Sequence, residues 1–129
     1  MPLDNEKKVI FGCGNGGKNS YNYLRDKSNI VAFCDNDPKK WNKKLFGIRI
    51  VSPSDLIKLD FNEIIISSQQ AYKIKIQLLG KGIPMNALVI HHPDILLGSY
   101  YRNSFVYNFV SYIFYYASMP VFKIISFLR

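Results

Sequence analysis

In the stretch KKVIFGCGNGGKNSYNYL, Gly12, Gly14 and Gly17 stand at the spacing G-x-G-x-x-G. Glycine at these positions has three separate uses. The first glycine permits a tight turn after a strand, and the second lets a diphosphate come close to the backbone. The third lets the following helix pack against the sheet. Amide groups at the start of that helix then face the phosphates, and the helix dipole favours negative charge there. Glycines alone are weak evidence, because the chemistry also needs an acid roughly 20 residues further on, at the end of a second strand, to hold a ribose diol. Asp35 follows the apolar run IVAFC at that distance.

Other reactive residues make no comparable set. Tyr23 and Lys27 have the Y-x-x-x-K spacing of a dehydrogenase acid–base pair, but they lie on the first helix rather than far downstream of the glycines. His91 and His92 are adjacent, so on a strand they point to opposite sides, and no second ligand cluster accompanies them. The sequence therefore predicts no metal site. Cys13 and Cys34 fall at the ends of neighbouring strands, where small buried thiols are expected rather than a redox pair.

The elements that must position the glycines and Asp35 follow from short apolar runs. Val9 to Cys13, Ile30 to Cys34, Ile48 to Val51, Ile64 to Ile66 and Ala87 to Ile90 read as five strands. Gly17 to Lys27 and Gln69 to Gly80 read as helices, and SPSDLIKL carries a further Ser or Asp helix start after its proline. Alternation of strand and helix predicts an α/β fold. Runs that are apolar throughout predict a Rossmann-like parallel sheet covered by helices on both faces.

Composition agrees with a folded domain: 129 residues, 48% hydrophobic. The first residues, MPLDNEKK, hold no apolar core of a secretory signal, and two cysteines cannot build a disulfide scaffold, so a cytoplasmic place is expected. The net charge is +8, and the dense basic cluster is Lys39, Lys40, Lys43 and Lys44 in DPKKWNKKLFG. A nucleic-acid surface would add basic residues along a helix face or aromatics on a sheet. Neither pattern is present, and no nucleic-acid partner is predicted.

The segments VIFGCGNGGKN, IVAFCDNDPKKWNKKLFGIRIVSPSDL, NEIIISSQQ and GIP together resemble a bacterial Rossmann module. That module precedes the catalytic domain in polysaccharide-biosynthesis nucleotide-diphosphate-sugar epimerases and dehydratases. A related one precedes the acyltransferase domain of bacterial sugar acetyltransferases. The resemblance covers roughly residues 7–90, and its most specific part runs from Asp35 through Gly47 to Pro53. It implies a cofactor-binding site at Gly12, Gly14, Asn15, Gly16, Gly17 and Asp35, with Ser67, Ser68 and Gln69 on the same rim. The ligand it implies is NAD or a nucleotide-diphosphate-sugar. It implies no catalytic residue, since the second Rossmann domain with its tyrosine–lysine pair and the left-handed helix repeat of the acyltransferases are both missing from these residues.

Residues 99–129 form a second segment beyond a nucleotide-binding domain at 1–98. They hold eleven of the nineteen aromatics and three charges, Arg102, Lys123 and Arg129. Phe105, Phe109, Ile113, Ala117, Val121 and Ile124 recur at helical spacing, and no charge interrupts Asn103 to Phe122. A C-terminal apolar helix is expected. It buries against its own domain, a second copy, a separate catalytic subunit or the inner face of the membrane, or it spans the bilayer, for which twenty uncharged residues are long enough. Two other functions stand beside the nucleotide-binding module: a small NAD-dependent nucleotide-sugar dehydrogenase, and a membrane-associated structural partner with an empty cleft.

Overall fold

A computed structural model describes residues 5–91. In chain order the elements are β1 (Lys7–Phe11), α1 (Asn15–Leu24), β2 (Asn29–Cys34), a 3-10 turn (Pro38–Lys40), β3 (Lys44–Leu45), β4 (Ile48–Val51), α2 (Pro53–Leu56), β5 (Glu63–Ile66), α3 (Ala71–Gly80), a second 3-10 turn (Met85–Ala87) and β6 (Leu88–Ile90). The strands form one six-stranded sheet in the order β3-β4-β2-β1-β5-β6. All pairings are parallel except that of β3 with β4. This is the expected α/β, Rossmann-like sheet.

The apolar runs are explained by burial on both sides of the sheet. Along β1, Val9 and Phe11 join the larger core with α2 and α3, while Ile10 between them joins the smaller core with α1. The same alternation places Ile64 and Ile66 in the larger core and Ile65 in the smaller. A strand with two dry faces has no reason to carry polar residues at every second position.

Three local features differ from the sequence reading. First, β1 ends at Phe11 and α1 begins at Asn15, so Gly12 and Cys13 are turn and Gly16 and Gly17 already lie in the helix. Secondly, α2 starts at Pro53 itself, not after it. Ser52 is the N-cap and accepts a hydrogen bond from the Asp55 amide at 3.1 Å, and proline suits the first helical position because no partner for its missing N–H is needed there. Thirdly, β3 makes the sheet six-stranded rather than five.

The hairpin β3–β4 stands where a crossover helix commonly links two parallel strands. Its two-residue turn, Phe46–Gly47, has positive φ at both positions, 52° and 77°, as a two-residue turn of the primed type requires. Phenylalanine is an unusual occupant of that conformation. Its ring lies flat on Tyr21, with centroids 4.6 Å apart, and tilts against Phe33. That contact offsets the backbone strain. Two residues of strand among lysines carry no hydrophobic pattern, which is why the sequence does not reveal β3.

Candidate functional site

The chain leaves β1 through α1 to β2 and β4 on one side, then returns through α2 to β5 on the other side of β1. Strand order therefore reverses between β1 and β5, and the crevice beyond their carboxyl ends is where open α/β sheets take ligands. The glycine loop follows β1 there, Ser67 to Gln69 follow β5, and Asp35 follows β2 on the neighbouring strand. All nine residues expected at the site thus lie at the carboxyl end of three adjacent strands. Their individual positions differ in what they can do.

The four glycines divide into three that the fold requires and one that it does not. Gly12 has φ of +122°, and a Cβ there would sit 2.5 Å from the Ser67 carbonyl oxygen. A Cβ on Gly16 would lie 2.8 Å from that oxygen, and one on Gly17 would lie 1.8 Å from the Gly12 oxygen. These three allow α1, β1 and the β5 loop to touch backbone to backbone. Gly14 is different. Its φ of −86° is open to any residue, and nothing lies within 4 Å of a Cβ built on it. It is also exposed.

Gly14 is also the N-cap of α1, and no side chain caps that helix. The short α2 and the Pro38–Lys40 turn are capped by Ser52 and Asp37, whereas α3, like α1, has no side-chain cap. The first amides of α1 therefore have no side-chain acceptor, and Asn15 beside them is exposed.

Asp35 is held tightly. Its Oδ2 accepts from the Cys13 amide at 3.0 Å, its Oδ1 accepts from the Asp37 amide at 2.8 Å, and Lys40 Nζ stands 3.7 Å from Oδ2. Carboxylate oxygens have spare lone pairs for a ribose, but the first task of this side chain is to tie the end of β2 to the glycine loop. Asp35→Ala is accordingly expected to destabilise the domain by about 1.5–3 kcal/mol, the scale of a hydrogen bond to a charged group, in addition to any effect on binding. Urea unfolding measures it, and an unchanged midpoint would show that the loop keeps its place without the carboxylate.

Among the rim residues, Ser67 turns its hydroxyl inward. It donates to Ser20 Oγ at 2.6 Å, and Ser20 Oγ lies 2.5 Å from His91 Nδ1. Ser67, Ser20 and His91 are all buried. This chain fixes the start of the β5 loop against α1 and the end of β6, so Ser67 serves the crevice through its main chain. Ser68 Oγ accepts from the Gln70 amide at 3.1 Å, and Gln69 is exposed on the rim. The sequence gives no sign of Ser20, because a lone serine in a helix has no pattern, and it shows Lys40 only as one of four clustered lysines near Asp35.

Lys27 Nζ lies 3.8 Å from the centre of the Tyr23 ring, whose other neighbour is His91, stacked at 5.4 Å. His92 lies outside the described residues. Among the described residues no group of three or more His, Cys, Asp or Glu could hold a metal. Cys13 and Cys34 are both buried and free. Burial, with the Asp35 carboxylate second, pushes the Cys13 thiol up to about 12 from 9.0; burial, then Cys13, raises Cys34 further. The folded chain thus keeps protons that an unfolded thiol releases near pH 9. The thiols' contribution to stability is full below that pH and is lost as pH rises toward 12. Ellman's reagent at pH 8 should find no thiol in the native chain and both after denaturation; rapid native reaction would mean that the glycine loop opens.

Comparison with known proteins places the chain. The family model described as C2185-like, N-terminal matches residues 4–89, and the chain belongs to that family. No curated protein matches the sequence. Among solved structures, UDP-D-quinovosamine 4-dehydrogenase from Vibrio fischeri is 24% identical with a TM-score of 0.59, and the match covers 80% of this chain and 97% of that one. RSP, a Rex-family repressor, is 17% identical with a TM-score of 0.52, over 87% of this chain and 58% of that one. RSP in complex with beta-NADH is 17% identical with a TM-score of 0.51, over 96% of this chain and 64% of that one. At these identities the likeness is one of fold.

Proposed function

We propose that this C2185-like N-terminal domain is a nucleotide-binding module whose crevice takes NAD(H) or a nucleotide-diphosphate-sugar. The observation that carries the reading is Gly14. It is a glycine that neither backbone conformation nor packing demands, placed at the uncapped start of α1 where a diphosphate would meet free amides. Asp35, on the next strand end, stands where a ribose would follow. The ligand class is drawn from the fold neighbours, one named for a UDP-sugar and another solved with NADH. The sequence resemblance adds the setting: the nucleotide-sugar chemistry of bacterial surface-polysaccharide synthesis, with the module holding the nucleotide and a separate catalytic subunit acting on it.

Residues 1–98 constitute the binding domain in this reading, and residues 99–129 attach it to a second copy, a catalytic partner or the inner face of the membrane. The tail lies outside the described residues. No helix among the described residues is long and apolar enough to cross a membrane. A DNA-binding role is not part of the proposal, although RSP was also solved with operator DNA.

The test is a thermal-shift series with NAD(H), NADP(H), UDP-sugars and coenzyme A. A ligand of the native state at a hundred times its Kd adds about 2.7 kcal/mol of stability and must raise the Tm. A Tm unmoved by every member at millimolar concentration would leave the crevice a scaffold feature only.

A further inference from the structure

An acid at the end of the second strand ordinarily favours a ribose diol and repels a ribose bearing a phosphate. In this chain the acid does not stand alone. Asp35 shares its two oxygens between the Cys13 and Asp37 amides, and Lys40 Nζ approaches the same Oδ2 that the Cys13 amide reaches, at 3.7 Å. The carboxylate is thus compensated on the side that faces the glycine loop.

Lys40 is presented by a well-braced turn. Asp37 accepts from the Lys39 amide at 3.1 Å and its carbonyl accepts from the Lys40 amide at 3.1 Å. The Trp41 indole donates to the Asp35 carbonyl at 2.7 Å. The root of the Lys40 side chain is therefore fixed beside Asp35, while the side chain itself is 41% exposed and can turn its ammonium outward. Lys39, next to it, is exposed and pairs with no acid among the described residues. Asp37 is the other acid of the turn, and its Oδ1 is already engaged with the Lys39 amide.

We propose that Lys40 lets this end of the crevice accept a ribose phosphate as well as a free diol, so that a nucleotide diphosphate whose adenosine ribose carries a 2′- or 3′-phosphate monoester binds there beside its unphosphorylated counterpart. The proposal rests on the nucleotide-binding reading and adds to it the chemistry at the ribose. A monoester carries close to two negative charges at neutral pH. Lys40 bridges it and Asp35, much as a cation between two anions, and Lys39 lies within the same turn to add a second positive charge. The 2′-phosphate of NADP(H) and the 3′-phosphate of coenzyme A share this chemistry.

The experiment uses the full chain and two ligand pairs that each differ by one phosphate, NADPH against NADH and coenzyme A against dephospho-coenzyme A, titrated calorimetrically. In at least one pair the phosphorylated member is expected to bind within about threefold of its partner or tighter, and Lys40→Ala to weaken it about tenfold while leaving the partner within about twofold. Lys40→Arg should restore most of the loss, since it keeps the charge. The variant's Tm serves as the control for folding. The idea is overturned if, in both pairs, the phosphorylated member binds ten or more times weaker than its partner to the unaltered chain, or if Lys40→Ala weakens both members alike. Binding of UDP-sugars with none of the four would reject the ribose phosphate and keep the nucleotide reading; no binding of any nucleotide would end both.

Discussion

Gly14→Val is expected to reduce affinity for the best nucleotide ligand at least about a hundredfold, equivalent to about 2.7 kcal/mol, while the domain keeps its fold and nearly all its stability. The reasons are geometric. Gly14 has ordinary φ, and its Cβ would meet nothing within 4 Å, so a side chain there starts into open space. In the proposed mode of binding the diphosphate lies against the first α1 amides, which a branched side chain at their N-cap would crowd. Gly17→Ala supplies the opposite case. A single methyl there would come within 1.8 Å of the Gly12 oxygen, so α1 must move away from β1, at a cost of about 3 kcal/mol or more. Calorimetric titration and urea unfolding of both variants separate the two effects. If Gly14→Val binds as the unaltered chain does, the crevice does not hold a diphosphate; if Gly17→Ala unfolds at the same urea concentration as the parent, the contact between α1 and the glycine turn has been misjudged.

Ending the chain near Gly98 should convert an associating protein into a monomeric, folded one that still binds nucleotide. The family match ends at residue 89, and β6, the last described strand, ends at Ile90. Residues 99–129 lie beyond both in sequence, and their composition leaves little to face water: eleven aromatics, three charges, all of them basic. A segment of that kind buries against protein or lipid. Lys123 and Arg129, with no acid nearby in sequence, favour anionic head groups. Sedimentation of both lengths with and without anionic liposomes decides the matter. The full chain is expected to form oligomers or to sediment with the vesicles, and the short one to do neither. An unfolded short chain would assign the tail to the core. A full chain that is monomeric and indifferent to lipid would require the tail to pack on its own domain.

The sheet, the order of its principal strands and helices, and the glycine–acid pairing are all legible in the sequence, because each depends on local pattern. Ile64, Ile65 and Ile66 in succession imply a strand dry on both faces, and the two cores on either side of β5 contain them in alternation. G-x-G-x-x-G after one such run and Asp35 after the next mark the ends of adjacent parallel strands, as their pairing of Phe11 with Cys34 bears out. What could not be read there is the work of Gly16 and of the polar side chains. The fingerprint assigns Gly12 to the turn, Gly14 to the diphosphate and Gly17 to helix packing, but gives Gly16 no part; the placement of the Ser67 and Gly12 carbonyls shows that Gly16, like Gly12 and Gly17, is required by close backbone approach and that Gly14 is not. The resemblance places Ser67 on the rim, whereas its hydroxyl is committed to Ser20, 47 positions away, and through Ser20 to His91, 71 positions from Ser20. Asp35 likewise reaches back 22 positions to Cys13. Periodicity records which face of an element is dry, since that is a property of neighbouring residues. Which buried polar atoms meet across the fold depends on contacts between elements far apart in the chain, and these come into being only when the sheet has closed around them.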